Sequence, residues 1–120
     1  MQTYRDLIVW QKAIIFVASL YRTTASFPRD ELYGLTNQMR RAAVSIPSNL
    51  AEGYSRKHRL EYAHFVRISF SSGAELETQL ILSQKLGFLS ENDYQNLSEM
   101  LTEIMKMLNR LIQVLEKVPA

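Results

Sequence analysis

The amino-acid sequence predicts an all-α protein, folded as an antiparallel up-down four-helix bundle. Three observations carry that expectation. Apolar residues recur at spacings of three and four through four long stretches, no stretch alternates with the period of a strand, and the breaks between stretches are only a few residues long. A chain of 120 residues and 13.9 kDa suits one domain, spanning 1–120, large enough to bury a core without metal or crosslink.

The first helix is expected from about Asp6 to Ala25. Leu7, Trp10, Ile14, Val17 and Tyr21 keep a strict three-four alternation, the seam of a helix packed along its neighbours. Ile8, Val9, Ile15 and Phe16 lie off that seam. So much apolar surface predicts a helix that is buried on several sides or shares an interface with another chain. Ser26-Phe27-Pro28 then breaks the pattern. Pro28 suits the first turn of a second helix, with Asp30 and Glu31 at its positive end, running to about Tyr54.

The second helix has two patterned faces. Leu35, Met39, Ala42, Ala43, Ile46 and Leu50 gather on one side as core, while Gln38, Arg41, Ser45, Asn49 and Glu52 form a polar ribbon on another. The ribbon suits either a second contact outside the core or a network that satisfies itself. Pro47 removes one backbone donor inside this helix and predicts a kink, at a cost of about 3 kcal/mol in an isolated helix. Gly53 is placed to end it in a left-handed cap.

The third helix is expected from near Ser55 to about Leu86. Ser69, Ser71, Ser72, Gly73 and Ala74 form a run of small residues, weak in helix propensity through its serines and glycine but open to close approach, with Ala42, Ala43 and Ser45 as candidates to pack opposite them. Lys85-Leu86-Gly87-Phe88 reads as a glycine C-cap followed by a hydrophobic contact. Ser90 and Asp93 resemble a capping box opening the fourth helix, which ends near Lys117. Its seam is Tyr94, Leu97, Leu101, Ile104, Leu108, Leu111, Leu115 and Val118.

Several function classes fall away. The chain has no cysteine, which excludes disulfides, thiolate metal sites and a cysteine nucleophile. Glu61-x-x-His64 has the spacing of a di-iron half-site, but such a site needs two, and the only other histidine, His58, has Ser55 three residues before it. Glu75 and Glu77 point to different sides of a helix, no serine sits in a nucleophile elbow, and the four glycines are scattered. The expectation is a non-enzyme with no cofactor and no metal. No apolar run approaches the roughly 20 residues of a membrane span, and Met1–Asp6 lack a signal-peptide pattern, so a cytoplasmic protein is expected.

Charge is uneven. Between Arg40 and Arg67 six cations, Arg40, Arg41, Arg56, Lys57, Arg59 and Arg67, face only Glu52 and Glu61, a net of +4. From Glu75 to Glu103 six carboxylates face Lys85 alone, a net of −5. Either an anionic ligand meets the basic region, or basic and acidic surfaces of neighbouring subunits meet. The cations Lys57 and Arg59 crowd a helix start, where free N–H groups already favour anions, and Tyr54, Tyr62 and Phe65 lie close by. These six basic residues are the candidate RNA-binding set, with phosphates bridged by arginine and bases stacked on aromatics. The competing reading is a solvated face with ion pairs such as Arg56 or Lys57 with Glu52. Arg40 and Arg41 point about 100° apart, and Arg41, beside Glu52 on the ribbon, is the one expected to be structural.

A resemblance rests on these same residues. Leu7-Ile8-Val9-Trp10-Gln11-Lys12-Ala13, then Phe27-Pro28 with Glu31-x-Tyr33-Gly34-Leu35, then the run from Gln38 to Gly53, and later Glu75 to Leu80, look like the bundle proteins encoded in intervening sequences of bacterial 23S ribosomal RNA genes. The resemblance covers most of the chain up to Phe88. It implies an up-down bundle assembled as a homo-oligomer, often a ring of five subunits. The family is also similar in architecture to the accessory protein of diversity-generating retroelements, a basic pentamer that binds reverse transcriptase and nucleic acid. Two roles follow as expectations: binding of structured RNA, plausibly ribosomal, or a scaffold that docks a protein partner.

Overall fold

The computed structural model describes residues 2–117. Among them are four α-helices and no strand: α1 (Ile8–Thr24), α2 (Leu35–Tyr54), α3 (Arg59–Lys85) and α4 (Glu91–Glu116). They form a rod of 51 × 21 × 21 Å. Each helix packs on its sequence neighbour and α1 packs on α4, which closes the bundle. Antiparallel order is visible in the cross-helix bonds, where early residues of one helix meet late residues of the next: Ser83 with Met39, Ser69 with Ile46, and Arg67 with Glu116. The lower end of the rod gathers residues 3–7, the α2–α3 turn and the end of α4. The upper end holds the α1–α2 and α3–α4 connections, where Phe27 and Phe88 pack with ring centroids 5.8 Å apart.

The core-facing row of α1 is Val9, Ala13, Phe16, Leu20 and Thr24. This is one residue out of step with the row predicted, in which Ile14 and Tyr21 are now exposed. Both rows keep the helical period, so spacing alone does not choose between them; the fully buried Phe16 and Leu20 decide it. In α2 and α4 the predicted seams are the core, with Met39, Ala43, Ile46 and Leu50 facing Leu97, Leu101, Ile104 and Leu108 across the bundle interior. Val118, predicted to extend the α4 seam, lies outside the described residues.

Small residues bring α2 and α3 together as expected, by hydroxyl bonds as well as by contact. Ser69 Oγ donates to the Ile46 carbonyl at 2.9 Å, beside Pro47, and Ser72 Oγ to Ser45 Oγ at 2.8 Å. Helix α2 continues through Pro47 to Tyr54. Gly73 faces the other way, toward α4, where an added Cβ would lie 2.2 Å from the Met105 sulfur.

Three boundaries depart from expectation. The second helix does not begin at Pro28: residues Arg29–Glu31 form one 3-10 turn, and α2 starts after Gly34. The third begins at Arg59 instead of Ser55, after an exposed turn. Gly53 is not a left-handed cap. It lies inside α2, and the positive-φ glycine is Gly87 (φ 80°), where Phe88 N–H donates to Ser83 O and Gly87 N–H to Gln84 O in a Schellman cap. Ser90 Oγ accepts from the Asp93 N–H at 3.1 Å as predicted. A complete capping box stands instead at Thr3 and Asp6.

Candidate nucleic-acid interface

Helix α2 ends and α3 begins at the lower end of the rod, so the turn between them exposes Arg56, Lys57, His58 and Arg59 together. Close packing beneath the turn holds it. Tyr54 and Tyr62 meet edge to face with centroids 5.9 Å apart, and Gly53 lets α2 approach until its missing Cβ would be 2.8 Å from Phe65 Cβ. Burial, with Tyr54 adding to it, raises the Tyr62 phenol above its ordinary pKa. Arg56 bridges Glu52 at 2.6 Å and lies over the Phe65 ring at 4.7 Å. Lys57 and Arg59 are exposed, and among the described residues neither enters an ion pair.

The two other ends of the predicted cationic set are tied to neighbouring helices, Arg40 half-buried and Arg67 exposed. Arg40 Nε donates to Thr24 Oγ1 at 3.0 Å, its Nη2 to the Tyr21 carbonyl at 3.2 Å, and its guanidinium lies 4.6 Å from the Tyr21 ring centre. It pins α2 to the end of α1. Arg67 grips Glu116 of α4 through two bonds of 2.6 and 2.5 Å, which lowers the carboxyl and raises the guanidinium pKa. The structural arginine of the neighbouring pair is therefore Arg40 and not Arg41, because Glu52 is taken by Arg56. Arg41 is exposed on the ribbon, where it borders a recess of about 220 Å³ between α2 and α3 with Gln38, Ser45, Ser72 and Glu75. Part of the ribbon satisfies itself, since Asn49 donates to both the Ser45 carbonyl and hydroxyl at 2.9 Å.

A second surface is apolar. Leu7, Ile8 and Val9 of the α1 start and Met107, Leu111 and Val114 of α4 line a groove of about 480 Å³, flanked by Lys106 and Arg110. Ile8 and Val114 in the groove stand 55% and 63% exposed, and Ile15, in a neighbouring recess of the same face, 60%. The Lys12–Glu103 pair at 2.8 Å crosses the same face. The one sign of this face in the sequence was the surplus apolar surface of the first helix.

Glu61 and His64 are exposed on α3, and among the described residues no group of three His, Cys, Asp or Glu could hold a metal. No helix of the described chain is long and apolar enough to cross a membrane.

The model of the 23S rRNA-intervening sequence protein family matches residues 5–110. The chain belongs to that family. Its fold is shared by a crystal structure of a protein of unknown function from the S23 ribosomal protein family of Bacteroides thetaiotaomicron, with a TM-score of 0.81 at 20% identity, covering 88% of this chain and 96% of that one. No curated protein matches this chain significantly. Within the family match fall α1, α2, α3 and most of α4, and so every residue of the basic turn and of the apolar groove up to Arg110.

Proposed function

We propose that this member of the intervening-sequence family is a non-enzymatic RNA-binding protein of the bacterial cytoplasm, whose basic lower end contacts the phosphates of structured RNA, with ribosomal RNA as the first candidate. The observation that carries this reading is the exposed turn Arg56–Arg59 leading into α3, where Lys57 and Arg59 enter no ion pair among the described residues and Arg56 lies over the Phe65 ring, near the Tyr54–Tyr62 pair. Lys57 and Arg59 supply the phosphate contacts, with Arg41 as an outlying cation. Arg56 contributes by releasing Glu52, while Arg40 and Arg67 hold the helices that carry the site. Few contacts of this kind give weak, salt-sensitive binding with little dependence on sequence.

The test is anisotropy titration of the nuclease-treated protein with a structured rRNA hairpin at about 50 and 200 mM salt. Affinity falls with salt, and the double variant Lys57→Ala, Arg59→Ala lowers the salt slope by about 2. Unchanged affinity in that variant removes the turn as the site.

A second reading, in which the chain is a homo-oligomeric scaffold that also docks a protein partner, is favoured by the apolar groove between α1 and α4. A ring, of five subunits if it follows the family resemblance, would multiply weak basic ends into one avid surface. Sedimentation across a concentration series tests it. A species of 13.9 kDa at every concentration rejects the scaffold.

A further inference from the structure

The recess between α2 and α3 holds two opposite charges that do not neutralise each other. Arg41 and Glu75 are both exposed and both line it, yet among the described residues neither enters an ion pair. The other carboxylates beside this face are engaged, Glu52 by Arg56 and Glu116 by Arg67. The Gln38 side chain and the paired hydroxyls of Ser45 and Ser72 line the same recess, with Ala42 adding an apolar surface. A direct Arg41–Glu75 bridge at such a surface adds little stability, so a ligand that satisfies both groups meets little competition.

We infer that this recess takes the Watson–Crick edge of guanine. Guanine is the standard base with two adjacent donors, N1–H and the N2 amine, that one carboxylate accepts side by side, and next to them stands the O6 acceptor for a guanidinium. Glu75 accepts from N1–H and N2–H, Arg41 donates to O6, and the Gln38 amide and serine hydroxyls meet the remaining edge. Adenine and cytosine place an acceptor where guanine has N1–H, and uracil flanks its single N–H with two carbonyls; each sets an oxygen or nitrogen lone pair against Glu75. The base has two sources, an unpaired guanine of an RNA strand or a free guanine nucleotide. The strand is favoured by position and rests on the RNA reading above: from Arg59 to Glu75 is sixteen residues of α3, about 24 Å, so a single strand leaving the basic turn runs along that helix to the recess.

The test uses the full chain and labelled eight-nucleotide oligouridine strands carrying one central guanosine, inosine or adenosine, with unlabelled guanosine and inosine monophosphate as competitors. The guanosine strand binds about tenfold tighter than the inosine strand, which lacks only the N2 amine. Glu75→Gln abolishes that preference while leaving total binding equal or stronger, since it removes a negative charge from the RNA side; a merely structural role for Glu75 would weaken all three strands alike. Salt-sensitive binding without base preference overturns the guanine site and leaves the RNA reading standing. Direct calorimetric binding of guanosine monophosphate in preference to inosine monophosphate, without binding of any strand, upholds the site, assigns the free nucleotide as its source and removes the RNA reading. Failure of every strand and both nucleotides overturns site and reading together.

Discussion

Arg40 and Arg41 are adjacent in sequence and opposite in use. Arg40 is half-buried against Thr24 and Tyr21, whereas Arg41 faces solvent. Their roles were open in the sequence, because a helix places consecutive side chains about 100° apart without saying which neighbour each will meet. Arg40→Met keeps the apolar stem but removes both hydrogen bonds and is expected to cost about 1–3 kcal/mol, with a Tm lower by at least roughly 4 °C in thermal unfolding. An unchanged Tm would sink the tie between α1 and α2. The Arg67–Glu116 pair makes a pH prediction. The bidentate bond, then the nearby charge, holds the Glu116 carboxyl below the ordinary value of 4.5, so its contribution is complete above that value and is lost as pH falls through the lowered one. Asp6 behaves alike, held low by the Gln2 and Thr3 N–H groups. Urea midpoints measured between neutral pH and about pH 3 should fall less steeply in Glu116→Gln than in the native chain. Parallel curves would mean that the pair adds nothing.

At the scale of the helices, sequence signals at chain ends proved more local than those of helix faces. Gly87 needs its positive φ, and its cap was readable because Gly87-Phe88 closes a run that has spent its apolar period. Gly53 looked the same in sequence, yet its lack of a side chain serves packing, with Phe65 and the Tyr62 backbone too near for a Cβ. Gly53→Ala separates two opposed effects. Alanine favours the helix by about 1 kcal/mol, but a methyl 2.8 Å from Phe65 Cβ forces α2 away from α3 at about 1–3 kcal/mol. Urea unfolding should show net destabilisation together with weaker burial of Tyr54 and Tyr62. A stabilised variant would show that the interface has room.

The whole molecule is a rod with its basic and apolar surfaces separated along and around it. Basic residues sit at the lower turn, while Glu91 and Asp93 open α4 at the other end, 51 Å being the full length. At physiological salt the screening length is about 8 Å, so the two ends act on partners independently. The apolar α1–α4 face is a matter of this scale too, since it needs two helices side by side. Ile15→Glu with Val114→Glu places carboxylates on exposed positions of that face without entering the core. The double variant should stay helical by circular dichroism and sediment as a smaller species than the native chain. Equal sedimentation of a native oligomer and the variant would place the subunit contact elsewhere.

Local signals in the sequence determined much of the molecule: apolar spacing the four helices and the cores of α2 and α4, short connections their antiparallel order, a cap motif the turn at Gly87, and charge the basic cluster near residues 56–59. Those features depend on spacing within a few turns, which the chain carries wherever it folds. The tertiary structure alone decided which of two equally periodic rows of α1 is buried, which arginine of the Arg40–Arg41 pair is tied down, and that Arg41 and Glu75 share a recess. Each of these depends on which residue of a distant helix arrives opposite. That register is set by the fit of whole faces, of Phe16, Leu20, Ser69 and Gly73 against their partners, and no local pattern encodes it.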